Sequence, residues 1–187
     1  MTKTITPSLV RKFTSEIQAV GITHDSQRTI PVSSTQRPRG TPFQKGCRFH
    51  RMLSQEARSV FRHEEKKMVP WLSAAHRELR DMGVRNTKAE VSFTGDSLPN
   101  GRVDMLLTGG LAKRGCAEFK VVQNLPDQPA EKDLLQVGGY ASLIAHEYQD
   151  GRVWIALIYV SFTEGIRIFS HKASYRLQSV ARTLLAA

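Results

Sequence analysis

The sequence predicts an α/β chain in which a central mixed β-sheet is flanked by helices, in the order α-β-β-β-α-β-β. Three observations carry this prediction. Lys88 to Thr94, Gly101 to Leu107 and Cys116 to Val122 are short runs with the two-residue period of strands, separated by glycine-bearing turns. Two longer stretches, Gln44 to Met68 and Pro129 to Tyr148, instead repeat apolar residues at helical spacing. Val153 to Phe162, VWIALIYVSF, is apolar on both faces, as suits a strand in the middle of a sheet.

Taken in order, the chain opens with an amphipathic helix. Thr6 can cap it, Pro7 suits its first turn, and Leu9, Val10, Phe13, Ile17 and Val20 form its stripe until Gly21. Residues 22 to 45 mix Ser, Thr, Gln and Pro with basic residues and show no period. This reads as a basic arm that wraps the domain or orders on nucleic acid, or as a disordered extension. Residues 1–45 thus form a basic N-terminal helix and arm, and residues 46–187 the main domain. The long helix from about Gln44 to Met68 has Phe49, Leu53, Val60 and Phe61 inward, and Pro70 closes it. A short helix over Ser73 to Met82 ends at Gly83.

In the first predicted strand Ala89, Val91 and Phe93 alternate, and Glu90 can approach a site on the next strands or form a surface ion pair. TGDSLPNG turns the chain into Gly101 to Leu107, with Val103, Met105 and Leu107 on one face and Arg102, Asp104 and Leu106 on the other. The connector TGGLAKRG permits an antiparallel return, so Asp104 and Glu118 can sit side by side, while Glu118 and Lys120 share a face. In the helix from Pro129 to Tyr148, Leu134, Val137, Ala141, Ile144 and Tyr148 point inward, with Gln136 and Tyr140 one turn apart on a neighbouring face. Ile166 and Ile168 alternate in a last strand. Lys172 to Ala187 closes the chain as a helix.

Two carboxylates brought together repel unless a cation lies between them, and a lysine beside them suits an anionic substrate. That is the chemistry of a metal-dependent phosphodiesterase. The charge distribution agrees: the net charge is +10, and residues 1 to 67 hold 13 Lys and Arg against 5 Asp and Glu. Such asymmetry points to a polyanion, with nucleic acid preferred over membrane, although a solvated basic surface without a partner has the same composition. Cys47 and Cys116 are too few for a disulfide framework or a four-cysteine cluster, and read as reduced thiols. No apolar run reaches the ~18 residues that suggest a membrane span, so a cytoplasmic protein is expected.

Asp104 followed by Glu118-Phe119-Lys120 resembles the D…(D/E)xK core of the PD-(D/E)XK nuclease superfamily, with Val103 where the name-giving proline would stand. Gly46-x-x-x-His50 within RPRGTPFQKGCRFH is similar to the entry helix of the RecB-like branch, and Gln136-x-x-x-Tyr140 to that branch's QxxxY helix. The resemblance covers about residues 37 to 140 and implies a restriction-endonuclease-like core. It implies Mg²⁺ or Mn²⁺ held by His50, Asp104, Glu118 and the carbonyl of Phe119, with Lys120 as the catalytic lysine beside Asp104 and Glu118. DNA would be met by Gln136, Tyr140, Arg37, Arg39, Lys45, Arg48 and Arg51, and a helicase or recombinase would be a natural partner.

On its residue type alone, beside an apolar stripe, His50 reads as a structural histidine; the Gly46-x-x-x-His50 match is what lifts the ligand reading. Glu56 and Glu64 compete with it for the first-helix ligand; His50 is preferred, although Ser54 stands where the branch often has a glutamate. The activity implied is a deoxyribonuclease of DNA processing, most simply an exonuclease. A nucleic-acid-binding scaffold on a nuclease fold and a sequence-specific restriction endonuclease are the alternatives.

Overall fold

The computed structural model describes residues 26–55, 61–93, 101–109, 114–149, 153–173 and 179. The elements are β1 (Ser26–Ile30), α1 (Pro42–Ser54), α2 (His63–Lys66), α3 (Val69–Asp81), β2 (Asn86–Phe93), β3 (Gly101–Thr108), β4 (Arg114–Val121), α4 (Glu131–Tyr148), β5 (Val153–Ser161) and β6 (Gly165–Ala173). The strands form one six-stranded sheet in the order β1-β6-β5-β4-β3-β2. β4 and β5 are parallel, joined through α4, and the other pairs are antiparallel. The predicted α/β class, a mixed sheet flanked by helices, is what the chain adopts.

Strand alternation sorts the apolar residues into two layers. Met105, Leu107, Ala117, Phe119, Ile158 and Ile168 pack on one face with Phe49, Met52 and Leu53 of α1 and Trp71, Leu72 and Leu79 of α3. Leu106, Cys116, Ile155, Leu157 and Phe169 pack on the other with Leu135, Val137 and Ile144 of α4. β5 feeds both layers, as its two-sided apolar run requires. Trp71 anchors the first layer: its ring meets Phe162 edge-on at 5.1 Å, and its indole N–H donates to the Ser161 carbonyl at 3.0 Å.

Several predicted elements are corrected. Ser26–Ile30, inside the predicted arm, is an edge strand paired with β6 from Ser26↔Ser170 to Ile30↔Ile166. Its residues Gln27, Arg28 and Thr29 are exposed, so it shows no alternation, and polar side chains are what an edge strand carries. The single helix expected from Gln44 to Met68 is broken. α1 starts earlier, at Pro42, where Thr41 and Gln44 form a capping box. It ends at Gln55, whose backbone is extended. Pro70 does not close a helix but opens α3, in whose first turn its missing N–H costs nothing, so α3 begins at Val69 rather than Ser73.

β6 runs through Lys172 and Ala173, where a helix was expected; of the remaining C-terminal residues only Ser179 is described. The predicted N-terminal helix, most of the TGDSLPNG turn, Glu56, and the middle of the TGGLAKRG connector lie outside the described residues. Among the described residues no helix is long and apolar enough to cross a membrane.

The pairing of β1 gives an expected result for truncation. Deleting residues 1 to 40 strips an edge strand tied down by Arg167 Nε donating to Thr29 Oγ1 at 2.9 Å, and exposes the β6 backbone. Deleting residues 1 to 25 keeps every described element. The longer deletion should melt several degrees lower, at roughly 2–4 °C per kcal/mol for a chain of this size. Equal melting temperatures by circular dichroism would show that β1 adds nothing to the sheet.

Candidate active site

The site grows where β3 pairs with an irregular stretch of β2. The β2–β3 ladder passes from Ala89↔Met105 to Val91↔Val103, and between them Glu90 sits at φ +49°, a left-handed conformation unusual for a non-glycine residue. On β3's other side the ladder to β4 stops at Met105↔Ala117. The regular face assignment fails here: Met105 packs with α1 and α3 as expected, but Val103 packs in the α4 layer. Asp104 lies at this change of face. It is freed from pairing with Glu118, and its Oδ2 accepts the Phe119 N–H of β4 at 2.9 Å. Glu90 itself faces Arg102 at 3.7 Å, the surface ion pair.

Its neighbours arrive from three elements. From α1, the Nδ1–H of His50 donates to Asp104 Oδ1 at 3.1 Å. From β4, Glu118 is 3% exposed and Lys120 Nζ donates to its Oε1 at 2.9 Å. From α4, Gln136 Oε1 accepts from Lys120 Nζ at 2.7 Å, while its Nε2 donates to Glu118 Oε1 and to Tyr140 Oη, both at 2.8 Å. Gln136 can serve both because its amide carries a donor and an acceptor. Gly101 lets the helix come this close: a Cβ there would lie 2.8 Å from Leu143 Cδ1 and 3.0 Å from Tyr140 Cε1.

This assembly leaves one atom unsatisfied. Glu118 Oε2 is buried and has no hydrogen-bond partner among the described residues. Such an oxygen is costly unless something binds it. Burial, and then the charge of Asp104, push the Glu118 carboxyl up to about 7 despite Lys120. The hydrogen bond to Asp104 holds His50 above its ordinary value against the opposing effect of burial. Burial pulls Lys120 down, but Glu118, Asp133 and Asp104 outweigh it and leave the ammonium more firmly protonated than usual. Tyr140 is raised to about 12 by burial and by the charge of Glu118.

The donor set fits a divalent cation. A buried carboxylate with an orphan oxygen, a second carboxylate and an imidazole are hard-to-intermediate ligands that Mg²⁺ or Mn²⁺ accept, and a cation would relieve the repulsion that raises Glu118. Among the described residues no three His, Cys, Asp or Glu side chains already converge as a metal cage. His50 is instead closed onto Asp104 through Nδ1, which leaves Nε2 as the ring nitrogen that could ligate. Glu64 is engaged elsewhere, accepting from the Arg39 N–H at 2.7 Å and from Lys67, which hold it down at about 2.

Three of the basic residues expected to meet DNA have other partners. Arg51 pairs with Glu65, whose side chain is buried, so its charge is committed to joining α1 and α2. Arg48 Nη1 donates to the Arg39 carbonyl at 2.6 Å, and Lys45 Nζ lies 5.9 Å from the centre of the Phe162 ring. Arg37 and Arg39 are exposed on the segment before α1. Phe119 sends its ring away from the site, 5.8 Å from Phe49.

Sequence reading missed Asp133 and Tyr159. Asp133 is 5% exposed, lies 3.7 Å from Lys120 Nζ through its Oδ1, and accepts at Oδ2 from Tyr159 Oη at 2.7 Å. Tyr159 Oη in turn accepts the Ala130 N–H at 3.0 Å. The signal was present: Asp133 precedes Gln136 by three residues and Tyr140 by seven, which puts all three on one face of a helix.

The Glu118 carboxyl gives a pH test. Its folded value near 7 exceeds its ordinary 4.5, so the stabilising proton is bound throughout below pH 4.5 and lost as pH rises through 7. His50, also raised, acts in the same direction from 6.5 upward. In EDTA the melting temperature should therefore fall from about pH 5 to about pH 8, and Glu118→Gln should flatten that fall. A wild-type fall no steeper than that of the variant would mean Glu118 ionises normally.

No protein-family model matches the chain, and no curated protein matches it. Among solved structures, a chain described as "Crystal structure of SSO0001" is similar over 98% of this chain and 87% of that one, at 15% identity and a TM-score of 0.39.

Proposed function

We propose that the chain is a metal-dependent deoxyribonuclease of the RecB-like, PD-(D/E)XK type, with a restriction-endonuclease-like core. The observation that carries this reading is the buried, partnerless Glu118 Oε2 beside Asp104, with Lys120 fixed on the other oxygen of the same carboxylate. A scaffold protein has no use for a carboxyl strained in this way, whereas a cation-binding phosphodiesterase requires one.

Asp104, Glu118, His50 and the Phe119 carbonyl are the groups that would hold Mg²⁺ or Mn²⁺. When bound, the ion would supply Lewis-acid polarisation of the scissile phosphate and a more acidic attacking water. The remaining work falls to the protein's own groups. Lys120, charged and held by Glu118, Gln136 and Asp133, orients the water or offsets charge growing on the phosphorane oxygens. Gln136 keeps that ammonium from swinging away, and Tyr140 holds the Gln136 amide in the orientation that lets it do so. Asp104 ties the two diverging strands together through the Phe119 N–H.

Incubating purified protein with linear duplex, circular duplex and single-stranded DNA, in Mg²⁺, Mn²⁺ or EDTA, tests the reading. Cleavage in either metal and none in EDTA is expected. Metal-independent cleavage, or binding without cleavage under every condition, would overturn it.

A further inference from the structure

Phe43 is 79% exposed, in the first turn of α1. It lines a cleft of about 620 Å³ with Cys47 and His50 further along the same helix; Val122, Asn124 and Lys132 contribute from the other side. Lys120 also lines the cleft, so one continuous space joins an exposed aromatic ring to the candidate site. The volume is that of a small-molecule pocket.

Resting on the nuclease reading above, we propose that this cleft receives an unpaired nucleotide of single-stranded DNA, its base stacked on Phe43 and its phosphate directed toward His50 and Lys120. The ring lies in water, and its packing does not explain it; a base has an apolar face that an exposed ring can cover, whatever the sequence. The lining is mixed: the Asp133 carboxylate also lines the cleft, held by Lys120 and Tyr159, beside groups that suit a nucleotide. Apolar walls at Pro42 and Val122 suit the base, Asn124 offers it a donor and an acceptor, and Lys120 and Lys132 are cationic where the phosphates would lie. A base still paired in a duplex is held in its stack and can enter such a cleft only by being extruded.

The chain's two cysteines provide the readout. Cys47 is exposed in the cleft and Cys116 is buried, so N-ethylmaleimide uptake followed by intact mass reports the cleft alone. In EDTA, short oligo(dT) should slow the labelling of Cys47, and blunt duplex at the same nucleotide concentration should not. Phe43→Ala should raise the oligo(dT) concentration needed by about 5- to 150-fold, the range of one lost base–aromatic stack, and Phe43→Trp should restore it.

Equal protection by duplex, no protection by either, equal protection by oligo(rU), or an unchanged midpoint in Phe43→Ala would each overturn the proposal. Because no cleavage is required, the two readings fail separately. A protein protected by oligo(dT) that never cuts keeps this site and loses the activity; one that cuts but is protected equally by duplex keeps the activity and loses this site.

Discussion

Glu118→Gln and Lys120→Ala should each abolish detectable cleavage; DNA binding should stay within a few-fold of wild type in Glu118→Gln and weaken, without being lost, in Lys120→Ala. The expected rate loss is on the order of 10²–10³ for the lysine, the usual effect of removing one preorganised charge from a reacting centre, and larger for the glutamate. Glu118 is the group both Lys120 and Gln136 converge on, so its replacement would remove a proposed ion ligand and weaken the lysine's anchor together. Folding should survive in both variants. Replacing the carboxyl, which burial pushes up to about 7, by an amide removes a costly buried ionisation, and the Lys120 side chain is partly exposed. Gel assays of cleavage, paired with anisotropy of a labelled strand in EDTA, separate the two effects. Wild-type cleavage by either folded variant would move the chemistry elsewhere on the molecule.

The second large effect is expected at His50, where metal affinity rather than fold should respond. His50→Ala should weaken Mn²⁺ binding on the order of tenfold or more, with cleavage partly recovered at high metal because Asp104 and Glu118 remain. His50→Asp should keep activity and shift preference toward Mg²⁺, since a hard carboxylate replaces a softer nitrogen. A purely structural histidine behaves otherwise. His50 donates to Asp104 at 3.1 Å and is partly exposed, so a structural role would lower the melting temperature and leave the metal titration unchanged in the folded fraction. Calorimetric titration alongside thermal melts decides between them, and equal affinities in wild type and both variants would remove His50 from the ligand set.

The parts of the fold that were legible in the sequence are those whose burial is periodic. β3, β4, β5 and α4 carry their apolar residues at strand or helix spacing because each has at least one face covered, and the predicted spans fall within a few residues of the observed ones. β1 was not legible, since an exposed edge strand such as Ser26–Ile30 is held by backbone pairing, which leaves no pattern in side chains. The break after Ser54 was missed for a related reason. The residues on either side of it both face the first layer, so one apolar stripe continues across separate helices.

The site divides along the same line. Asp104, Glu118, Lys120, Gln136 and Tyr140 fall on predicted elements at fixed offsets, and the fold brings them together with His50. The change of face at Asp104 was not legible, because it depends on a left-handed backbone at Glu90, a residue type that does not announce it. Nor was the partnership of Arg51 with Glu65, which lies 14 residues further along the sequence on a separate helix. A count of basic residues cannot tell charges offered to a partner from charges consumed by the fold.

The edge position of β1 also has a meaning in time. Its pairing joins residues 26–30 to residues 166–170, across some 140 positions of chain, so the first of the described strands to be made is among the last of them to be placed. At a synthesis rate of about 5–20 residues per second, β1 waits on the order of 10–30 s for its partner. The slowest closure in this fold is therefore at the far edge of the sheet from β2 and β3, and the strands that carry Asp104 and Glu118 can pair before it happens.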